Sequence, residues 1–261
     1  MMESSEILLE IAPPLATLTF NRPQAHNALT WAMYDWLPEL CRQIERDPSV
    51  RVMIVRGGGS RAFSTGTDIT QFEAFHDAED GLVYERRLER ALEALEALPK
   101  PIIAAIEGYA IGAGAMVALA CDLRYGGAGS KFAIPIARTV ANCLTVANYA
   151  RLCDVVGAAR AKEIIFRGLT LDAHDALASG LLNAVVEADE AYAHARRVAL
   201  EIAAGAPLTL AITKQAHLRL FRHRRHQIAD EDLLAQAYGS ADFHQAVSAF
   251  IAKRKITFQG R

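Results

Sequence analysis

Two glycine-bearing stretches carry the residue types and spacing best suited to chemistry: RGGGSRAFSTGTDI at 56–69 and EGYAIGAGAMV at 107–117. Each follows a run that reads as a strand, so each is a turn leaving a strand end. A dinucleotide fingerprint would need GxGxxG opening a helix, with an acidic residue about twenty positions later. Here Gly112 and Gly114 are followed by Ala115 and Met116 with no third glycine in place, and the first stretch runs on into Thr67, Asp68 and Ile69. Neither holds the Gly-Lys-Ser/Thr of a phosphate-binding P-loop. The second stretch instead leads into a helix expected over 113–120, whose first turn leaves backbone N–H groups unpaired at the positive end of the helix dipole. Such donors suit an oxyanion developing on a substrate carbonyl.

The same stretch raises the question of a membrane span, because residues 101–123 are apolar over a sufficient length. Glu107 and three glycines near the middle of that window argue against it, since a central charge is disfavoured by about 2.5–3.5 kcal/mol on insertion scales. The N-terminal MMESSEILLEIAPP lacks the cationic and apolar segments of a secretory signal, so a cytoplasmic location is expected. A net charge of −2 gives no overall attraction to nucleic acid. The locally basic RHRRHQ at 222–227 reads as a solvated helix face, with phosphate or RNA binding as the alternative. Cys41, Cys121, Cys143 and Cys153 show neither CxxC pairing nor histidines at zinc-ligand spacing. They read as free thiols, and no metal is expected.

These turns need a scaffold. Up to about residue 135 the apolar pattern alternates strands (15–20, 51–57, 101–108, 131–135) with helices, which implies crossover connections and a sheet buried on both faces. One helix carries Met33, Trp36, Leu37, Leu40 and Ile44 at helical spacing, with Thr30 as N-cap and Pro38 inside. The next carries Leu88, Leu92 and Leu95 and ends before Pro99. From about 141 onward the chain reads as helical, with 181–186 as the one strand. Asp172 opens a short helix that Gly180 closes. The apolar stripes of 209–221 and 242–255 exceed what a small appendage can bury, so self-association is expected. A division into a core over 1–195 and a helical region over 196–261 fits this pattern.

Five segments, NRPQAHNAL (21–29), AFSTGTDI (62–69), KPIIAAIEGYAIGAGAMVALACDLRY (100–125), FRGLTLDAHDALASGLLNAVVE (166–187) and DFHQAVSAFIAKRKITF (242–258), resemble in order the enoyl-CoA hydratase/isomerase, or crotonase, superfamily. The resemblance covers nearly the whole chain. It implies an α/β fold, the ClpP-like crotonase spiral of ββα turns, followed by a C-terminal helical trimerisation region that forms a homotrimer or a dimer of trimers. It implies an acyl-CoA thioester as ligand, with coenzyme A entering as part of the substrate and no separate cofactor. By position in the motifs, the thioester oxygen would accept from the backbone N–H groups of Thr67 and Ala113. Gly66, Gly112 and Gly114 would shape the two turns, and Ala25, His26, Asp68, Ile69 and Thr70 would lie along the substrate. Lys253 and Lys255 of the KRK tail would help hold coenzyme A, often from a neighbouring subunit.

The family's hydration reaction uses two glutamates to hold water and move protons. Their positions fall on Met116 and Ile136, neither of which transfers a proton. This places ordinary hydratase activity in doubt and leaves open decarboxylation or hydrolysis of an acyl-CoA, or binding without turnover. Substitute groups are sought at Glu73, His76, Arg138, Asn142, Cys143 and Thr145.

Overall fold

The computed structural model describes residues 6–225 and 228–260, with side chains of 221–227 outside that description. An opening hairpin, β1 (Ile7–Ala12) and β2 (Leu15–Phe20), leads through the 21–29 loop to α1 (Trp31–Arg46). Three turns of one pattern follow, each a long strand, a short strand and a helix. The first is β3 (Val52–Gly57), β4 (Ala62–Ser64) and α2 (Ala78–Ala97). The second is β5 (Ile102–Ile106), β6 (Tyr109–Ile111) and α3 (Ala113–Ala120), and the third is β7 (Leu123–Gly127), β8 (Lys131–Ala133) and α4 (Val146–Val156). The chain continues through α5 (Ala158–Arg167), β9 (Thr170–Asp172), α6 (Ala173–Ala178), β10 (Ala184–Val186) and α7 (Ala191–Ala203). It ends in α8 (Pro207–Arg225), α9 (Glu231–Tyr238) and α10 (Ala241–Ile251).

The long strands and the three-residue β10 form one sheet, in the order β1-β2-β3-β5-β7-β10, and the other short strands a second, in the order β4-β6-β8-β9. Every crossover pairing is parallel, so each spiral turn delivers its short strand to the same side of the molecule. The central strands β3 and β5 are buried on both faces, and their residues divide with period two. In β3, Met53 and Val55 enter the main core, while Val52 and Ile54 meet the alanine face of α7 at Ala195, Ala199 and Ala203. Alanines every fourth residue keep that helix face flat, which lets it lie close on the sheet. The division at 195/196 suggested by the pattern falls within this helix.

Capping follows the sequence. Thr30 accepts from Met33 N at the start of α1, Asp77 accepts from Glu79 N and Asp80 N at the start of α2, and Asp172 accepts from Asp175 N at the start of α6. Glu107, the charge inside the apolar 101–123 window, accepts from Ala191 N and so ties the β5–β6 turn to α7. Among the described residues no helix is long and apolar enough to cross a membrane. Three expectations are corrected. The strand expected over 101–108 stops at Ile106, that over 131–135 stops at Ala133, and 181–186 is not the one strand after 141, because β9 pairs antiparallel with β8. Three-residue strands are set by backbone pairing with distant segments, which local propensity does not report.

Candidate active site

The turn after β4 and the turn after β6 meet at one place. Leu29 N donates to Gly66 O (2.7 Å) and Asp68 N donates to Leu29 O (2.9 Å). These bonds flank Thr67 as a parallel bridge, which turns the N–H of Thr67 itself to the opposite side. Across from it, Gly112 N is fixed on Ala133 O (2.9 Å), and α3 begins with Ala113 as its first residue. Among the described residues neither Thr67 N–H nor Ala113 N–H donates to a backbone acceptor.

Glycine sets how closely the turns approach. Gly66 has φ +95°, a conformation that side chains disfavour, and a Cβ there would lie 2.9 Å from Ile111 O and 3.2 Å from Ala113 N. A Cβ on Gly114 would lie 2.4 Å from Ser64 O, so the first turn of α3 rests directly on the end of β4.

Thr67 and Ala113 both line a cavity of about 290 Å³. Its walls are largely apolar, from Ile69, Phe72, Ile111, Ile136, Val140 and Phe250, with polar groups from Thr65, Thr67, Tyr84, Thr139 and Asn142. Among the described residues, none that lines it carries a carboxylate or an imidazole. Behind the wall, Trp31, Phe72, Phe75, Tyr84, Tyr238 and Phe243 pack ring on ring, with Phe72–Tyr84 centroids 5.0 Å apart and Phe72–Phe243 6.0 Å apart. This packing joins α10 to the turn that follows Asp68 and closes the cavity with Phe250. A larger cavity of about 490 Å³ lies beneath α8, but its ionisable groups are already engaged. Lys214 pairs with Asp122 at 2.9 Å, and Arg124 donates to Leu181 O and Cys121 O.

The loop residues named from the sequence gather beside this cavity. Asn27 is fully buried, accepts from Arg22 N, and donates to Gly58 O and Ala62 O. It thereby locks the 21–29 loop against β4. His26 is exposed at the rim and half-buried Ala25 adjoins it; His26 O accepts from Thr65 N (3.2 Å). Asp68 accepts from Arg22 (3.0 Å) and from Thr70 Oγ1 (2.8 Å). Burial acts to raise its pKa, but the bonds from Thr70 and Arg22 outweigh this and hold the carboxyl below its ordinary range. Asp68 therefore stays ionised and shapes the turn.

Of the two glutamate positions, Ile136 lines the cavity, whereas Met116 is packed in the main core at 1 % exposure. The substitutes sought in the sequence are dispersed. Asn142 lines the cavity, Thr145 caps α4, Cys143 faces Leu233 O, and Glu73, His76 and Arg138 are exposed. Lys253 and Lys255 are exposed on the tail after α10 and do not line the cavity. The basic run at 222–227 lies outside the described side chains.

Sequence reasoning missed Tyr34 and Tyr84. Thr67 Oγ1 is hydrogen-bonded to both phenols, at 2.7 Å to Tyr34 and 2.9 Å to Tyr84. Burial pushes both phenols well above the ordinary tyrosine range, despite the bond each shares with Thr67. The available signal was Tyr84 standing one helical turn before Leu88 on the buried stripe of α2, which on its own reads as a core position.

The family described as enoyl-CoA hydratase/isomerase matches residues 10–261. A short-chain-enoyl-CoA hydratase of Clostridium acetobutylicum is 32% identical over 259 residues, covering 98% of each chain. The human mitochondrial enoyl-CoA hydratase domain-containing protein 2 is 35% identical, covering 95% of this chain and 86% of its own. Among solved structures, an enoyl-CoA hydratase/carnithine racemase from Magnetospirillum magneticum superposes with a TM-score of 0.81 at 35% identity, covering 99% of this chain and 97% of its own. A methylmalonyl-CoA decarboxylase in complex with 2-nitronate-propionyl-CoA gives a TM-score of 0.87 at 28% identity, covering 98% and 99%. The chain belongs to the enoyl-CoA hydratase/isomerase family, the crotonase superfamily.

Proposed function

We propose that this protein binds an acyl-CoA thioester with its carbonyl oxygen on the N–H groups of Thr67 and Ala113 and carries it through a thioester enolate. The observation that supports this is the convergence of two unpaired amides on one apolar cavity whose lining has no carboxylate. Two preorganised donors favour the enolate over the neutral thioester, at about 2.7–4 kcal/mol for one such donor. Hydration of an enoyl thioester, the nominal reaction of the family, needs a held water and a proton carrier, and Met116 and Ile136 supply neither. Loss of carbon dioxide from an α-carboxylated thioester generates the enolate without a base. The cavity suits that reaction best, and the likeness to a methylmalonyl-CoA decarboxylase supports it.

Self-association is part of the same proposal. Leu208, Ile212 and Leu220 are 70%, 55% and 71% exposed along α8, an apolar helix face of the kind that packs against a second copy.

The test is a panel of α,β-unsaturated and α-carboxylated acyl-CoA thioesters, scored for binding and for product by mass spectrometry. Decarboxylation with no hydration is the expected result. Hydration of an unsaturated thioester would return the protein to the hydratases, and binding without turnover would make it a CoA-ester-binding protein. Failure to bind any CoA ester would end the proposal.

A further inference from the structure

We propose that Tyr84 donates the proton that the enolate takes at its α-carbon, an assignment that rests on the enolate reading above. Of the residues lining the cavity, Tyr84 is the one with a titratable side chain. It comes from α2, away from both turns, and reaches them through Thr67.

Thr67 and the two phenols share their protons within one cluster. Tyr34 is fully buried, bonds to Thr67 Oγ1 and does not line the cavity. Thr67 has one hydroxyl hydrogen and two lone pairs. It thereby bonds both phenols, at 2.7 Å to Tyr34 and 2.9 Å to Tyr84. Of the two phenols, Tyr84 is the one that lines the cavity, so its proton is the one within reach of a bound thioester. Thr67 thus presents its backbone N–H to the thioester oxygen while its side chain holds the phenol near the carbon beside that carbonyl.

The step balances as follows. The bond from Cα to the carboxylate breaks, carbon dioxide leaves, and the electron pair passes to the thioester as an enolate held by the two amides. The enolate α-carbon takes the Tyr84 proton, forming the C–H bond and leaving a phenolate. Water entering after product departs returns a proton to the phenolate. Burial and the neighbouring Tyr34 and Glu85 push the phenol well above its ordinary range, so it holds its proton until a carbanion is present and recovers it readily from water.

The experiment uses the full-length protein with methylmalonyl-CoA as the α-carboxylated probe, in D2O, comparing wild type, Tyr84→Phe and Tyr34→Phe. Each variant removes one oxygen and keeps the ring, and thermal melting checks that each is folded. The expected wild-type product carries one deuterium at Cα on a single face. Tyr84→Phe should lower kcat at least 100-fold with KM within threefold, while Tyr34→Phe, which keeps the phenol that lines the cavity, should lose at least tenfold less kcat than Tyr84→Phe. Equal losses in the two variants would mean that the phenols only position Thr67, and would overturn the assignment. Wild-type turnover by Tyr84→Phe, or deuterium on both faces from the wild type, would overturn it and leave the enolate reading standing. Wild-type binding of methylmalonyl-CoA without release of carbon dioxide would overturn decarboxylation and this assignment together.

Discussion

Helix α2 carries two buried polar clusters a few turns apart, and they are built on opposite terms. Toward its C-terminus, Glu89 and Glu96 clasp Arg151, which is 1% exposed. Every nitrogen of that guanidinium is engaged: Nε with Glu96, one terminal nitrogen with Glu89 and Asn148, the other with Glu89 and Glu96. Toward its N-terminus, Tyr84 joins Thr67 and Tyr34, while Glu85 accepts from Tyr238, which in turn accepts from Asn142 (3.1 Å). Here Glu85 Oε2 and Asn142 Oδ1 are buried without a partner. The first cluster leaves only Asn148 Nδ2 unpaired and is anchored on two full charges. Buried polar groups are ordinarily satisfied, so the contrast separates a scaffold that fixes α4 on α2 from a neighbourhood that keeps hydrogen-bonding capacity beside the cavity.

The largest effect should fall on the scaffold. Arg151→Ala leaves two buried carboxylates facing each other and should cost about 3–5 kcal/mol in urea denaturation, with thioester affinity of the folded protein unchanged. A large loss of affinity at undiminished stability would break the comparison. Next comes Ala113→Pro. Proline is tolerated at the first residue of a helix, so it removes the N–H of α3 with little change in stability. It should lower turnover by about 10²–10³-fold, or about 2.7–4 kcal/mol, and steady-state kinetics on the thioester panel checks this.

The most gradual effect, smallest per pH unit, is the pH dependence from Glu85. Burial drives its carboxyl up from 4.5 to about 8, with Glu89 and Asp230 adding to the rise and the bond from Tyr238 opposing it. The folded protein therefore holds this proton between pH 4.5 and 8, where the unfolded chain has lost it. Its contribution to stability is fully present below the lower value and falls as pH rises through the window, by up to about 1.4 kcal/mol per pH unit. Glu85→Gln should flatten that slope in urea melts from pH 5 to 8, whereas Glu96→Gln should not.

The turns were legible in the sequence because their chemistry is local. Gly66 and Gly112 mark backbone conformations, and the long strands β3 and β5 upstream of them are continuous apolar runs. The spiral itself was visible only through family resemblance, since β4, β6 and β9 are three residues long and exist by pairing with partners remote in the chain. Tyr84 was hidden for a related reason. It occupies the same helical stripe as Leu88, Leu92 and Leu95, and only the fold reveals that its end of the stripe faces Thr67 and the cavity. Met116 shows the converse, because a position that carries chemistry by motif packs here into the main core at 1 % exposure.

Where the thioester oxygen lodges decides the chemistry, and a crystal structure with a saturated acyl-CoA bound tests that most directly. It should place the carbonyl oxygen about 2.7–3.1 Å from both Thr67 N and Ala113 N, with the acyl chain along Ile136 and Phe250. A carbonyl lying outside reach of either nitrogen, or a ligand seated beneath α8 beside Arg124, would contradict it.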